Sequence, residues 1–368
     1  MECNKIRILN FRNIERAEIE FSPGVNILTG ANAQGKTNLL EAISFTAIGK
    51  SFRTSHEEDL IRFGSDFSEI SMDFTDSVRR QNITVRMMPG RRRRIEHNKV
   101  KATRLSDVVG CFRTVLFCPE HLSLIKEGPG ERRGYLDIAL SQLYPVYLKS
   151  LQRYNQILKQ RNQLIRNAED DRRTFCETIE FWSSQLAREA AIIARYRTEY
   201  CARADVYVKA CFAEMTGARE VPSLIYAGSS HASPEDYRDA ESTERSYFDL
   251  LMSHHDREIG AGTTLWGIHK DDIEITINEK AARAFASQGQ QRSLALAMKL
   301  AEGEVCADIC GEKPVFLFDD VFSELDGTRR AYLSGKMEDR QVIMTTCEPS
   351  GIAGGKLFTV ENGIYQEL

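Results

Sequence analysis

Short apolar or alternating segments make up most of the first ~120 residues of the chain. Gly, Pro, Asn and Asp separate these segments, which is typical of β-strands joined by turns. One longer apolar segment, TNLLEAISFTA, is typical of a helix. The N-terminal part is therefore predicted to consist mostly of strands with one helix. The predicted strands are KIRILNF, AEIEF, GVNIL, EISMDF and NITVRMM.

The pattern changes between about residues 131 and 217, where turn residues nearly vanish and apolar residues recur every three or four positions. This spacing predicts a long amphipathic helix and an earlier helix that packs against it as an antiparallel partner. The stripe of the long helix is Ile179, Trp182, Leu186, Ala190, Ile193, Arg197 and Tyr200. The stripe of the partner is Leu136, Leu140, Leu143 and Leu151.

Strand patterns return after a polar connection, at DIEITI and PVFLFDD. The chain is therefore predicted to form a discontinuous sheet-based head with a helical lobe inserted in its middle. The predicted division is residues 1–125 for the first part of the head, 126–261 for the lobe and 262–368 for the second part of the head.

Composition narrows the class of protein only slightly. A chain of 368 residues is too long for one simple core, and a formal net charge of -4 argues against a uniformly basic surface while allowing local basic patches. Nine cysteines without a Cys-x-x-Cys pair predict reduced thiols and no metal site built from protein side chains alone. The sequence contains no signal-peptide pattern and no apolar run of membrane-spanning length, so we expect a cytoplasmic protein.

A glycine-rich segment follows the predicted strand VNIL and precedes the predicted helix. It fits G-x-x-x-x-G-K-[ST], the phosphate-binding loop, whose backbone N–H groups converge on phosphate oxygens at a helix N-terminus. Lys36 is expected to reach the β and γ phosphates of ATP, and the Thr37 hydroxyl to ligate Mg²⁺. The predicted nucleotide-binding residues are Gly30, Ala31, Asn32, Ala33, Gln34, Gly35, Lys36 and Thr37.

Two carboxylates, Asp319 and Asp320, follow the apolar run VFLF at the predicted C-terminal end of a strand. The carboxyl ends of such strands are where α/β sheets place their ligands. Together with a phosphate loop, the pair predicts that Asp319 holds Mg²⁺ and that Asp320 orients or deprotonates the water that attacks the γ phosphate.

The segment SQGQQRSLALAMKLAE begins with a helix-capping pattern, because Ser287 is followed three residues later by Gln290. A well-capped structural helix accounts for this spacing. A second interpretation is that Ser287, Gly289 and Gln290 present a helix N-terminus to a triphosphate, and neither Ras-like GTPases nor P-loop kinases contain such an element.

These three motifs together resemble the ABC ATPases, and within them the SMC-like group that acts on DNA. The resemblance implies an α/β fold, an ABC/SMC-type P-loop ATPase head with a mixed sheet, plus the inserted helical lobe. It also implies that Ser287 of one subunit closes over ATP bound by the phosphate loop of another, in a head-to-tail homodimer. The segment SELD, residues 323–326, lies where this group has its D-loop, which crosses the same interface.

The resemblance extends to the RecF family. The motifs of this chain are similar to RecF motifs in sequence, order and spacing from residue 10 to residue 326. It implies ATP-dependent binding to duplex, gapped or junction DNA, cooperation with RecO and RecR, and indirectly with RecA. The motifs that carry it are NFRN, GANAQGKTNLLEAI, GKSFRTS, LFCPEHLSLIKEGPGERR, GIHKDDIEITIN, FASQGQQRS and DDVFSELD.

Three positions bear on the ATPase mechanism. Asp320 stands where ABC transporters have a glutamate, and we expect its shorter side chain to make hydrolysis slow. Thr346 stands where transporters have a switch histidine, and either a γ-phosphate contact or a plain strand end fits it. Glu120 lies about where the family has its Q-loop glutamine, and the alternative interpretation is an ordinary turn acid.

The DNA contacts are predicted only as phosphate contacts without sequence readout, because basic residues are not interleaved with aromatic ones. A run of arginines beside Pro89 and Gly90 fits phosphate attraction, although a solvated hairpin explains such a run as well. The candidate residues are Arg91, Arg92, Arg93, Arg94, Arg132 and Arg133.

Two other classes of protein use the same loop. The nucleotide-binding subunit of an ABC transporter shares the ATP chemistry. The inserted lobe and the RecF-like motif sequences argue against assigning this chain to that class. A small-molecule P-loop kinase would leave the segment from Ser287 to Arg292 without a role.

Overall fold

The protein is described by a computed structural model that covers residues 1–230, 233–347 and 354–368. These residues form two compact units, one made of Met1–Leu122 and Ala295–Leu368 and the other of Ser123–Leu294. The second unit therefore extends beyond residue 261, where the sequence pattern placed its end. The boundary at Leu294 falls inside a helix, and no change of sequence texture marks it.

The predicted strands KIRILNF, AEIEF, GVNIL, EISMDF and NITVRMM correspond to the first five strands, and further strands and helices follow them. The strands are β1 (Glu2–Phe11), β2 (Ile14–Glu20), β3 (Val25–Thr29), β4 (Ser68–Thr75), β5 (Arg80–Met87), β6 (Arg94–His97), β7 (Val100–Ala102), β8 (Thr114–Phe117), β9 (Pro222–Ala227), β10 (Asp272–Ile277), β11 (Lys280–Ala281), β12 (Val315–Asp319), β13 (Val342–Thr346), β14 (Lys356–Glu361) and β15 (Ile364–Glu367). The helices are α1 (Lys36–Ile48), α2 (Ser123–Lys126), α3 (Pro129–Leu143), α4 (Pro145–Arg166), α5 (Arg172–Thr216), α6 (Ala240–Ser253), α7 (His255–Ala261), α8 (Ala282–Phe285), α9 (Gln288–Cys310) and α10 (Gly327–Gly335).

The first unit contains two six-stranded sheets. One is antiparallel, in the order β2-β1-β4-β5-β6-β7. The other has the order β15-β14-β3-β13-β12-β8 and is parallel except for β15, so it is the predicted mixed sheet.

Helix α1 contacts strands of both sheets and shares one apolar core with them. It is buried nearly all round, which explains why its sequence is apolar rather than amphipathic. The core between the two sheets therefore holds the helix that follows the phosphate loop in a fixed position.

The second unit is built around α5, the predicted long helix, whose 45 residues span about 68 Å. Its partner differs from the prediction, because the earlier stripe is divided between two helices. Tyr144 is extended and Pro145 begins α4, so Leu143 ends one helix and Leu151 belongs to the next. Proline has no N–H to continue a helix, and it disfavours helical geometry in the residue before it.

The sequence division assigned the strand DIEITI to the head, but this strand does not join a sheet of the first unit. It is β10, the middle strand of a separate three-stranded sheet with the order β11-β10-β9, and α5 contacts β9 of this sheet. The second unit is therefore a mixed α/β lobe. Alternation of apolar residues identified the strand correctly but contains no information about which sheet the strand joins.

Candidate nucleotide-binding site

The phosphate loop connects the end of β3 to the start of α1. Gly30, Ala33 and Gly35 have positive φ angles of 153°, 65° and 113°. A side chain on Gly30 would collide with the carbonyl oxygen of Val360, so this glycine is required by close backbone approach as well as by its conformation. The loop thus has the backbone form that turns successive N–H groups toward one point.

The Thr37 hydroxyl donates a hydrogen bond to Oδ1 of Asp319 over 2.8 Å. Thr37 is the second residue of α1 and Asp319 ends β12, so this bond joins two motifs that are 282 residues apart in the sequence. The ammonium group of Lys36 folds back onto the loop, contacting the carbonyl oxygen of Gly30 and lying 2.9 Å from that of Ala31. The predicted lysine, threonine and aspartate therefore lie together in one site.

Asp320 adopts a left-handed backbone conformation, with a φ of 51°, directly after the strand. Its Oδ1 atom is buried and has no hydrogen-bond partner among the described residues. A buried carboxylate oxygen without a partner is costly, and such atoms concentrate at functional sites. Asp320 is thus poised to interact with a group that enters the site.

These residues surround a cavity of about 500 Å³ in the first unit. The pKa of Asp319 is raised by burial and by the negative charges of Glu120 and Asp320, while hydrogen bonds from Thr345 and Thr37 oppose the rise. The carboxylates that face this cavity make it favourable for a cation. The cavity is lined by Asn13, Asn32, Ala33, Gln34, Gly35, Lys36, Thr37, Asn38, Arg53, Pro119, Glu120, Asp319, Asp320, Thr345 and Cys347.

Among the described residues, no group of three or more His, Cys, Asp and Glu side chains is arranged to hold a metal ion. Mg²⁺ commonly binds through one or two protein ligands, phosphate oxygens and water. The pair of Thr37 and Asp319 fits that mode of binding.

The phosphate loop is supported by residues that the sequence pattern did not single out for this role. Asn13 donates from Nδ2 to the carbonyl oxygen of Gln34 over 3.3 Å, and the Tyr365 hydroxyl donates to that of Gly35 over 2.8 Å. The side-chain oxygen of Gln34 accepts from the backbone N–H of Asn362 over 2.7 Å. The C-terminal hairpin of β14 and β15 thus holds the loop, a long-range contact without a local sequence signal.

The predicted capping box is present in the second unit. The backbone N–H of Ser287 donates to Oε1 of Gln290 over 2.6 Å, and the backbone N–H of Gln290 donates to the Ser287 hydroxyl over 3.2 Å. Ser287 is exposed, and Gly289 and Gln290 are partly exposed, at the first turn of α9. Because the serine oxygen only accepts in this pair, its hydroxyl proton remains available to a ligand.

Glu120 and Thr346 differ in their relation to the cavity. Glu120 is exposed and lines it. Thr345 faces the cavity, and side chains of consecutive strand residues point to opposite faces, so Thr346 at the end of β13 is directed away from it. This geometry favours the interpretation of Thr346 as a buried strand end.

The arginine run lies in the turn between β5 and β6 and in the first residue of β6. Arg91 and Arg92 are exposed. Arg93 donates to the carbonyl oxygen of Gly49 over 2.7 Å and pairs with Glu57 at 3.0 Å. Arg94 pairs with Glu96 at 2.7 Å. Arg93 is therefore a structural residue of the hairpin rather than an available phosphate contact, and the free positive charge is concentrated on Arg91 and Arg92.

Arg132 and Arg133 do not form the exposed basic pair that their sequence suggests. Arg132 is 5% exposed and binds Asp272 through two hydrogen bonds of 2.6 and 2.8 Å. Arg133 is half-buried and donates to the carbonyl oxygen of Asp271 over 2.8 Å. The prediction of Arg132 as a DNA contact is corrected by this geometry, because its guanidinium group connects α3 to β10.

Comparison with protein families matches residues 2–359 to the model described as the RecF/RecN/SMC N terminal domain. A protein from Staphylococcus carnosus named DNA replication and repair protein RecF is 35% identical over 369 residues, which cover 99% of both chains. A Lactobacillus johnsonii protein of the same name is 37% identical over 358 residues, covering 96% of this chain and 94% of the relative.

Solved structures of a RecF protein and of an SMC head are also similar to this chain. A structure of the recombination mediator protein RecF-ATPrS in the RecFOR pathway aligns with a TM-score of 0.94 and 32% identity, covering 100% of this chain and 98% of the other. The SMC head domain of Pyrococcus furiosus aligns with a TM-score of 0.58 at 19% identity, covering 100% of this chain and 95% of the other, a likeness of fold alone. In the described ranges, no helix is both long and apolar enough to cross a bilayer.

Proposed function

The chain belongs to the RecF family of SMC-type ATPases, and from this premise we propose that it is an ATP-dependent DNA-binding protein of DNA repair and replication. The observation that carries the proposal is the hydrogen bond of 2.8 Å between the Thr37 hydroxyl and Asp319, beside the phosphate loop. A hydroxyl and a carboxylate at this place are the protein ligands that a Mg²⁺-nucleotide site needs.

The residues of the cavity fit ATP and Mg²⁺. The loop from Gly30 to Thr37 would receive the phosphates through its backbone N–H groups, with α1 adding its dipole. Lys36 would exchange the carbonyl oxygens that it now contacts for the β and γ phosphates, and Thr37 and Asp319 would hold the metal. Bound Mg²⁺ would neutralise phosphate charge, which is the chemistry that this chain's own side chains do not supply.

Hydrolysis is proposed to depend on Asp320. Its unpartnered Oδ1 would orient or deprotonate the water that attacks the γ phosphate. The side chain is one methylene shorter than the glutamate of ABC transporters, so we infer a slow reaction that serves as a timer for a bound state. A turnover as fast as that of a motor ATPase would refute this part of the proposal.

The segment that begins at Ser287 and leads into α9 is proposed to complete the site of a second copy. Ser287, Gly289 and Gln290 would present the α9 N-terminus to the triphosphate held by the phosphate loop of the other subunit. Two copies related by a two-fold axis would then enclose two ATP molecules. This arrangement uses the exposed first turn of α9 and the free hydroxyl proton of Ser287.

We infer the biological role from the family to which the chain belongs. We infer that ATP joins two heads on duplex or gapped DNA and that slow hydrolysis releases them. A relative of this chain is described in the RecFOR pathway. On that basis we propose RecO and RecR as partners and an indirect role in placing RecA on gapped DNA.

The proposal is tested by measuring the affinity of the protein for fluorescent gapped DNA with and without ATP and Mg²⁺. We expect ATP to tighten binding of the wild type and to have no effect on Lys36→Ala, because that variant lacks the phosphate-binding ammonium group. The matched control is Lys5→Ala, which removes a lysine paired with Glu18 and Glu20 outside the cavity. If the affinity of the wild type for DNA is the same with and without ATP, the proposal is contradicted.

A further inference from the structure

Thr345 forms two hydrogen bonds with the two consecutive aspartates of the site. It is 1% exposed and lies in β13, directly beside Asp319 in the parallel neighbour β12. Its hydroxyl donates to Oδ1 of Asp319 over 2.7 Å and accepts from the backbone N–H of Asp320 over 2.9 Å. One buried hydroxyl therefore connects the proposed metal ligand to the residue proposed to orient water.

The first bond restricts the carboxylate of Asp319. Thr37 and Thr345 both donate to its Oδ1 atom, over 2.8 and 2.7 Å. Two donors on one oxygen restrict the orientation of the carboxylate and leave its Oδ2 atom outside both of these bonds. The carboxylate is thus held with one oxygen directed toward the loop and the other available to a metal or its water shell.

The second bond stabilises an unusual backbone. A φ of 51° is uncommon for a residue other than glycine and is energetically unfavourable. Without the Thr345 hydroxyl, the N–H group of Asp320 would lose the acceptor that it has in this conformation, which is unfavourable. Because threonine is branched at Cβ, its hydroxyl has few directions in a strand, and packing fixes which one it takes.

We propose that Thr345 is a positioning residue that holds Asp319 and Asp320 together in the geometry required for metal-dependent nucleotide binding. This inference rests on the proposed nucleotide site and adds a residue to it. Valine would fill the same buried volume and suits a strand better, so the hydroxyl is needed for its bonds rather than for packing.

The test uses Thr345→Val and Thr345→Ala, which lack the hydroxyl, and Thr345→Ser, which keeps it. ATP affinity is measured by calorimetry across a Mg²⁺ titration and again in EDTA. Thr84→Val is the matched control, because Thr84 is a strand threonine whose hydroxyl bonds Ser71 and Asn82 outside the cavity. Thermal unfolding without nucleotide shows whether each variant is folded.

We expect the half-saturating Mg²⁺ concentration of both hydroxyl-free variants to rise about ten-fold, the loss of one hydrogen bond to a charged group. Their affinity for ATP in EDTA is expected to change by less than about two-fold, and Thr345→Ser to lie within about three-fold of the wild type in both conditions. A purely structural role would change both conditions alike and would not distinguish serine from valine by metal dependence.

Two results overturn the inference in distinguishable ways. If the wild type binds ATP with the help of Mg²⁺ and the hydroxyl-free variants show the same metal dependence, Thr345 does not position the aspartates. If the wild type itself shows no Mg²⁺-dependent binding, the proposed nucleotide site is wrong and this inference is wrong with it.

Discussion

The ammonium group of Lys36 lies against the carbonyl oxygens of Gly30 and Ala31 in its own loop. Lys36 could be predicted as a phosphate-binding residue from the sequence, because a lysine directly after the second glycine of the phosphate-loop pattern is typical of phosphate binding. Thr345 was not identifiable, because a threonine at the end of a buried strand has no pattern that distinguishes it. Its role depends on Asp319 in the neighbouring strand.

The exposed charge of Arg91 and Arg92 leads to a prediction about DNA. Changing both to glutamine is expected to weaken DNA binding and to reduce the slope of log affinity against log salt by about 2, roughly one unit for each lost phosphate contact. The measurement is DNA binding across a range of salt concentrations. Arg93 is left intact, because its contact with Gly49 supports the hairpin.

The control for that experiment removes the same charge elsewhere. Arg173 and Arg195 are paired with Glu177 and Glu199 along α5 at 2.8 and 2.9 Å, so their replacement by glutamine changes the net charge equally. If the Arg91 and Arg92 variant keeps the slope of the wild type, the β5–β6 turn does not contact DNA.

At the scale of elements, His269 connects α4 to the segment before β10. Its Nδ1 lies 2.7 Å from the hydroxyl of Tyr154, and its Nε2 lies 3.1 Å from the carbonyl oxygen of Thr264. Burial lowers the pKa of His269 from 6.5 to about 4, opposed by the bond to Thr264 and helped by the charges of Lys270, Arg133 and Arg161. The imidazole is therefore neutral in the folded protein at neutral pH.

This shift predicts acid sensitivity of the second unit. Between pH 6.5 and about 4 the unfolded chain binds the proton that the folded chain rejects, so His269 stabilises the fold fully above pH 6.5 and less as the pH falls. The contribution that is lost is at most about 3 kcal/mol. Urea unfolding followed by circular dichroism is expected to show a smaller fall in stability toward pH 4 for His269→Gln. An equal fall in both proteins would assign the acid sensitivity to other groups.

The elements show where sequence reasoning succeeds and where it stops. Apolar spacing located β1 to β5 and the long helix α5, because each of these patterns is set by local burial. The break at Pro145 and the assignment of β10 to a separate sheet were missed. A stripe of leucines continues across a helix break without a gap, and strand pairing depends on residues far away in the chain.

A salt bridge to a distant residue explains why the prediction of Arg132 as a DNA contact was wrong. Arg132 looks like a surface cation in the sequence GERRG, yet it is buried against Asp272, 140 residues later. The acid that neutralises it follows another acid, Asp271, which is itself buried. Charge patterns along the chain therefore identify basic residues but not the ones that remain available to DNA.

At the scale of the whole molecule, the account depends on association between two copies. The first unit contains the phosphate loop, Asp319 and Asp320, while Ser287 belongs to the second unit. In the proposed dimer each ATP would contact the loop of one copy and the α9 N-terminus of the other. Nucleotide binding, dimer formation and DNA binding would then be thermodynamically linked, and each would strengthen the others.

Sedimentation velocity with and without ATP and Mg²⁺ measures this association. It compares the wild type, Ser287→Arg and the control Ser242→Arg, which alters an exposed serine of α6. The account predicts that ATP converts the wild type and the control to dimers, while Ser287→Arg binds ATP and stays monomeric. A wild type that remains monomeric when saturated with ATP, on DNA as well as in solution, would contradict it.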